Sequence, residues 1–164
     1  MINNETQIKF EALIRENELL IHKVCRIYTS APQDCQDLFQ EILIQIWRAF
    51  PSFKGKSKIT SWMYKRAIYT ALMSTRKEKS ALRFYDIKDV PENIIQVCYQ
   101  FSEDEKLEKL YVAISKLNSI EKAIVMLYLD EKSYDEMEDI LGINAGNLRV
   151  KMSRIKDKLK QLTA

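Results

Sequence analysis

The sequence predicts an all-α fold, arranged as two small helical domains joined by a flexible acidic linker. Three observations carry the prediction. Apolar residues recur at three- and four-residue spacing along almost the whole chain, with no run of strict alternation. Proline and glycine together number only six among 164 residues. Helix-capping patterns recur through the second half. Apolar residues make up 46% of the chain and charged residues 30%, the balance of a folded rather than a disordered protein. A single core of ordinary size takes about 100 to 150 residues, so this length holds one domain or two small ones. Residues 81–101 lose the periodicity and contain Pro91, which favours two: residues 1–80 and 102–164.

The first helix is expected over residues 5–29, with Ile8, Leu20, Val24 and Ile27 among its apolar positions, ending before Pro32. The second, over 33–50, sets Leu38, Phe39, Ile42, Leu43, Ile46, Trp47 and Phe50 on one broad apolar side. Pro51 and Gly55 break the pattern into a short basic loop, and a third helix follows over 58–79 with Met63, Tyr64, Ala67, Ile68 and Ala71 on one side. Beyond the linker, Ser102, Asn118 and Ser133 each stand three residues before a glutamate, which marks three helix starts. Leu107, Leu110, Ile114 and Leu117 form one stripe, and Ile120, Ile124 and Leu127 the next. Then come Tyr134, Met137, Ile140 and Leu141, a break at Gly142-Ile143-Asn144, and a long helix carrying Leu148, Met152, Ile155, Leu159 and Leu162 at spacings of 4, 3, 4 and 3. Gly142 can take the left-handed conformation that ends one helix and Asn144 can cap the next, so the four-helix C-terminal domain is expected to contain a helix-turn-helix.

The net charge of +3 conceals a segregated distribution. Residues 46–83 hold ten basic and one acidic side chain, residues 84–111 seven acidic and three basic, and residues 148–164 six basic and one acidic. Two separate basic blocks suit phosphate neutralisation at two places on a nucleic acid. On the last helix the apolar stripe turns Asn147, Arg149, Val150, Ser153 and Arg154 outward, side chains able to meet base edges and phosphates; a coiled-coil arm or a merely solvated face are the alternatives. On the third helix the outer side carries Trp62, Arg66, Tyr69 and Met73, bordered by Lys58, Lys65 and Arg76. Aromatics interleaved with cations hold unstacked bases, although Trp62 and Tyr69 could equally be core. The second helix presents Asp34, Asp37, Gln40, Glu41 and Arg48 around Ile44, expected to be exposed, a strip that suits protein docking.

Other classes find little support. No apolar run approaches the roughly 20 residues of a membrane span, and a cytoplasmic protein is expected. Cys25, Cys35 and Cys98 are too few and too scattered for a disulfide framework, and His22, Cys25 and Cys35 lack a fourth ligand for structural zinc. No nucleophile with a base, paired catalytic carboxylates or phosphate-cradling glycine loop is visible, so neither enzyme activity nor a metal or cofactor is expected.

The motifs together resemble the extracytoplasmic-function (ECF) group of bacterial RNA polymerase sigma factors, small members of the sigma-70 class. The stretch from Asp37 to Trp47 looks like the helix with which sigma region two grips the polymerase clamp. Phe53 to Arg76, with Ser61-Trp62-Met63-Tyr64, looks like the part that opens and reads the minus-ten promoter element, and Lys132 to Ile143 with the helix after it looks like region four, which reads the minus-35 element. The resemblance implies that Asp37, Gln40, Glu41 and Ile44 dock on core RNA polymerase. It implies that Phe53, Lys54, Lys56, Lys58, Trp62, Lys65, Arg66, Tyr69 and Arg76 contact minus-ten DNA, and that Asn147, Arg149, Val150, Lys151 and Arg154 contact minus-35 DNA. It also implies a linker whose Asp86, Asp89 and Glu92 imitate nucleic acid, and an anti-sigma factor as a further partner. The chain departs from the family where Glu138 replaces a commonly small residue, Tyr69 a common asparagine and Arg66 a common aliphatic. Two other functions fit the same residues: an autonomous helix-turn-helix regulator acting as a homodimer on palindromic duplex, and a helical adaptor whose basic faces meet acidic proteins.

Overall fold

The computed structural model describes residues 4–76, without the side chains of Thr75 and Arg76, and residues 105–164. All regular structure among these is helical. The chain divides into two compact units, residues 1–99 and 100–164. The linker expected over 81–101 and the cap expected at Ser102 lie outside the described residues.

In the first unit the helices are α1 (Asn4–Glu16), α2 (Glu18–Tyr28), α3 (Pro32–Ala49) and α4 (Ile59–Arg76), with one 3-10 turn over Phe50–Ser52. Pro32 sits at the first turn of α3, where its missing N–H costs nothing. The helix centres the unit, packing against both α2 and α4, while Phe10 of α1 meets Trp47 edge-on at 4.7 Å and Phe50 at 5.9 Å. Met63, Tyr64, Ala67, Ile68 and Ala71 of α4 are all buried as their spacing predicts, and the two alanines let α3 and α4 approach closely.

Two expectations fail in this unit. The single helix over residues 5–29 is broken at Asn17, whose φ of −122° and ψ of 20° leave the helical region. Its Nδ2 donates to the Leu13 carbonyl at 3.0 Å, and its N–H is shared between the Leu13 and Ile14 carbonyls at 3.2 Å each, so the side chain competes with the helix ladder. The break resets the buried face: Phe10 and Ile14 are buried and Ile8 is 60% exposed. The second correction concerns Ile44, which is 2% exposed rather than a lone aliphatic on the surface. With neighbours on more than one side, α3 buries a wider arc than its apolar stripe marks.

The second unit consists of α5 (Glu105–Ser115), α6 (Ser119–Leu129), α7 (Tyr134–Leu141) and α8 (Ala145–Thr163). α8 packs against each of the other three through Leu148, Met152 and Ile155, around Ile114, Ile124, Leu127, Met137 and Ile140. Each such side chain removed from water contributes about 1.5–3 kcal/mol. Leu107, Ile120 and Leu162 of the expected stripes are exposed, because each lies in the first or last turn of its helix, beyond the packed overlap.

Among the described residues the caps at Asn118, Ser133 and Asn144 are where the sequence places them. Asn118 Oδ1 accepts from the Glu121 N–H at 2.8 Å while Glu121 Oε1 accepts from the Asn118 N–H at 3.1 Å, a complete capping box. Ser133 Oγ accepts from the Glu136 N–H at 3.1 Å and donates to its carboxylate at 3.2 Å. α7 ends at Gly142, φ 71°, whose N–H donates to the Glu138 carbonyl at 2.8 Å, and Asn144 Oδ1 then caps α8 at the Gly146 N–H, also 2.8 Å. α6 closes differently: the Lys132 N–H reaches the Leu127 carbonyl and the Glu131 N–H the Tyr128 carbonyl, a Schellman closure with Glu131 at φ 59° where glycine is usual.

Candidate nucleic-acid interface

Between α3 and α4 the chain turns through Phe50–Ser52, where Ser52 Oγ donates to the Ala49 carbonyl at 2.6 Å, and then through Gly55 at φ 73°. The turn carries Phe53 back onto α4. Its ring lies 5.1 Å from that of Trp62 at 47°, and the Arg66 guanidinium lies over the Trp62 ring at 5.8 Å. Phe53 and Trp62 are each half-buried by this arrangement, whereas Tyr69 is 47% exposed and Met73 is exposed beyond it. Lys54, Lys56, Lys58, Lys65 and Arg66 surround them, all exposed, and the Arg76 side chain lies outside the described residues. Of the two aromatics that could have been core, Tyr69 is on the surface and Trp62 is intermediate. The face therefore joins five described cations to a ring available for stacking, as binding of single-stranded nucleic acid requires.

The helix-turn-helix presents Asn147, Arg149, Val150, Lys151, Ser153 and Arg154, all exposed on α8. One flank of α8 rests on tyrosines: Arg149 lies over the Tyr134 ring at 5.1 Å and Lys156 over Tyr128 at 4.5 Å, where a hydrogen bond with the Tyr128 hydroxyl raises the Lys156 ammonium above its ordinary value. On the opposite flank Lys151, Arg154 and Lys158 face the start of α6 across an open groove of about 530 Å³ lined also by Asn118, Ser119 and Glu121. Lys158 Nζ binds Glu121 Oε2 at 2.6 Å. Burial pushes the Glu121 carboxyl up, but the hydrogen bonds from Lys158 and the Asn118 backbone, with the charges of Lys158 and Lys151, outweigh it and hold the group below its ordinary value. Lys158 is not among the residues that the sequence singles out, although its spacing of four from Arg154 and seven from Lys151 places all three on one flank. Glu138, where a small residue would allow close approach, is half-buried while its carbonyl closes the turn.

The acidic face of α3 holds Asp37, exposed, with its Oδ1 accepting from Gln33 Nε2 at 3.0 Å, and Gln40 and Glu41, both half-buried. Glu41 Oε2 is shut from solvent and finds no hydrogen-bond donor among the described residues. Burial raises the Glu41 carboxyl above its ordinary value, partly offset by the Arg48 charge. Ile44 is not part of this surface. His22 Nε2 lies 3.2 Å from Glu18 Oε1, Cys25 and Cys35 are buried and reduced, and among the described residues no three metal-ligating side chains converge. No described helix is long and apolar enough to cross a membrane.

Comparison with known proteins accounts for both halves. Residues 13–81 match the family model for sigma-70 region 2, and residues 107–159 match that for sigma-70 region 4. The chain is 20% identical over 157 residues to the ECF RNA polymerase sigma factor SigM of Mycobacterium tuberculosis, covering 93% of this chain and 76% of that protein. It is 27% identical over 143 residues to the ECF RNA polymerase sigma-E factor of Escherichia coli, covering 77% and 72%. A further similarity, 40% over 55 residues to SigG of Mycobacterium tuberculosis, spans 34% of this chain and only 14% of that longer protein. In fold it resembles the sigma factor RpoE solved with the anti-sigma factor NepR from Bartonella quintana, with a TM-score of 0.73 and 17% identity over 94% of this chain and 96% of that one. Region 2 over the helices that carry the aromatic face, followed by region 4 over the helix-turn-helix, is the order of a sigma factor, and the chain belongs to the ECF group of the sigma-70 family.

Proposed function

We propose that this protein binds core RNA polymerase in the cytoplasm, brings it to specific promoters through two DNA contacts and assists local melting, without performing chemistry itself. The observation that carries this reading is the pairing of two dissimilar DNA-suited faces in one chain. One is an exposed aromatic and basic face on α4, and the other a helix-turn-helix with an exposed polar and basic face on α8. A melted strand needs the first and an intact duplex the second.

In this reading Asp37, Gln40 and Glu41 dock on the polymerase. Phe53, Lys54, Lys56, Lys58, Trp62, Lys65, Arg66, Tyr69 and Arg76 form the minus-ten grip, and Asn147, Arg149, Val150, Lys151 and Arg154 the minus-35 grip. The domains divide at 1–80 and 102–164, and the acidic segment between them, with Asp86, Asp89 and Glu92, follows a path that nucleic acid otherwise takes. An anti-sigma factor, like the one bound to the Bartonella protein, is a fitting regulator.

The test is to mix the purified chain with core polymerase and assay promoter-dependent initiation. Initiation at defined promoters is expected. Tight binding to a palindromic duplex without polymerase would instead favour the autonomous regulator, and absence of both a polymerase complex and promoter use would sink the proposal. Asp37→Ala with Glu41→Ala is expected to weaken polymerase binding while the helical circular dichroism is unchanged.

A further inference from the structure

Three cations of α8 are held in three different ways. Lys158 is bound by the Glu121 carboxylate at 2.6 Å, and Lys156 shares a hydrogen bond with the Tyr128 hydroxyl. Arg149 lies over the Tyr134 ring at 5.1 Å, and among the described residues no carboxylate pairs with it. The difference bears on recognition. A carboxylate fixes a guanidinium by occupying its fork of N–H donors, the same donors that meet two acceptors on a guanine edge. A ring face attracts the charge and leaves that fork for a base. Tyr134 is well anchored for this task, being half-buried and the first residue of α7, directly after the Ser133 cap. Arg149 is exposed and sits one turn into α8, so the contact spans the turn between the two helices of the reading pair. Spacing alone groups Tyr134 with Met137 and Ile140 as an apolar position, yet those two are buried and Tyr134 is not.

We infer that Tyr134 is a specificity-determining positioning residue of the minus-35 grip, whose ring holds the Arg149 guanidinium ready for a base edge. The inference rests on the proposed function and deepens it by naming a residue of α7 that sets what a side chain of α8 reads. Holding a long side chain in place before DNA arrives removes part of the ordering cost that binding otherwise carries. It also narrows the angle at which the fork meets a base pair, and a bidentate contact discriminates only at the right angle. Tyr134 acts through Arg149, and its hydroxyl takes no part.

The experiment uses the complex of the full chain with core polymerase, a promoter that supports initiation, and that promoter with each minus-35 base pair replaced in turn. Discrimination is the ratio of affinities for the parent and replaced promoters at the position where Arg149→Ala abolishes it. Tyr134→Ala is expected to lower this ratio by about two- to fivefold, the range of an exposed cation–π contact, while Tyr134→Phe keeps it because the ring remains. In the Arg149→Ala background, Tyr134→Ala is expected to cost nothing further, since the side chain it acts through is gone. Tyr134→Phe as weak as Tyr134→Ala would give the effect to the hydroxyl and overturn the inference. An equal loss with and without Arg149 would make Tyr134 a structural residue or a DNA contact of its own, which overturns it too. So would full discrimination retained by Tyr134→Ala, or by Arg149→Ala at every position. Failure of the parent chain to form a complex with core polymerase would overturn the proposed function itself, a separable result.

Discussion

Two left-handed residues bracket α7: Glu131 at φ 59° before it and Gly142 at φ 71° after it. A Cβ built on Gly142 meets nothing within 4 Å, so its substitution cost is conformational alone. Gly142→Ala is expected to lower stability by about 1–2 kcal/mol, and Glu131→Gly to raise it by about 0.5–1 kcal/mol, both measured by urea unfolding. Equal signs for the two would contradict the backbone argument. Gly142 could be located from sequence because glycine advertises the conformation. Glu131 could not, because its strain is imposed by the closure onto Leu127 and Tyr128. Glu41 makes a second residue-scale case. Its carboxyl is raised in the fold, so the ionised form is disfavoured there relative to the unfolded chain, and stability tied to this group grows as pH falls. Glu41→Gln is therefore expected to raise the melting temperature at neutral pH, with the difference closing as pH drops through the carboxylate range. A constant difference across that range would point to packing instead of charge.

Among the elements, α6 and α8 are joined by one side chain, since Glu121 both completes the capping box and binds Lys158. Asn118→Ala is expected to cost about 1 kcal/mol through loss of the cap. Glu121 has the opposite pH sign to Glu41: held low in the fold, it contributes stability that is present above the unfolded carboxylate range and lost as pH falls through its lower folded value. Glu121→Gln should thus remove part of the acid sensitivity of the second unit, read as a flatter melting temperature between neutral and acid pH. The same scale explains what the sequence disclosed. α4 and α8 bury a single side, so periodicity separated Leu148 and Met152 from Val150 correctly and set Met63 and Ala67 apart from Tyr69, although it left open whether Tyr69, which is exposed, was core. α3 has several neighbours, and one stripe could not reveal that Ile44 is inside. The apolar spacing runs through Asn17 without interruption, and the break there arises from a side chain bonding back to Leu13, which spacing does not encode.

Across the whole molecule the net charge of +3 is small, yet exposed cations gather on α4 and α8. Removing one lysine that neutralises a phosphate should lower the slope of log affinity against log salt by about 0.9 on duplex and about 0.7 on single strands. In promoter complexes with polymerase, Lys151→Ala is expected to show the first reduction and Lys65→Ala the second, whereas Val150→Ala should change base preference at an unchanged slope. A slope that ignored both lysines would remove them from the DNA interface. The two faces, moreover, can be watched unequally. Both tryptophans stand in the first unit, Trp47 buried against Phe10 and Trp62 beside Phe53 and Arg66. The free chain is thus optically lopsided: tryptophan emission sees α3 and α4 and is blind to the helix-turn-helix, so a titration or melting curve followed by that light describes one half of the protein while the other passes unseen.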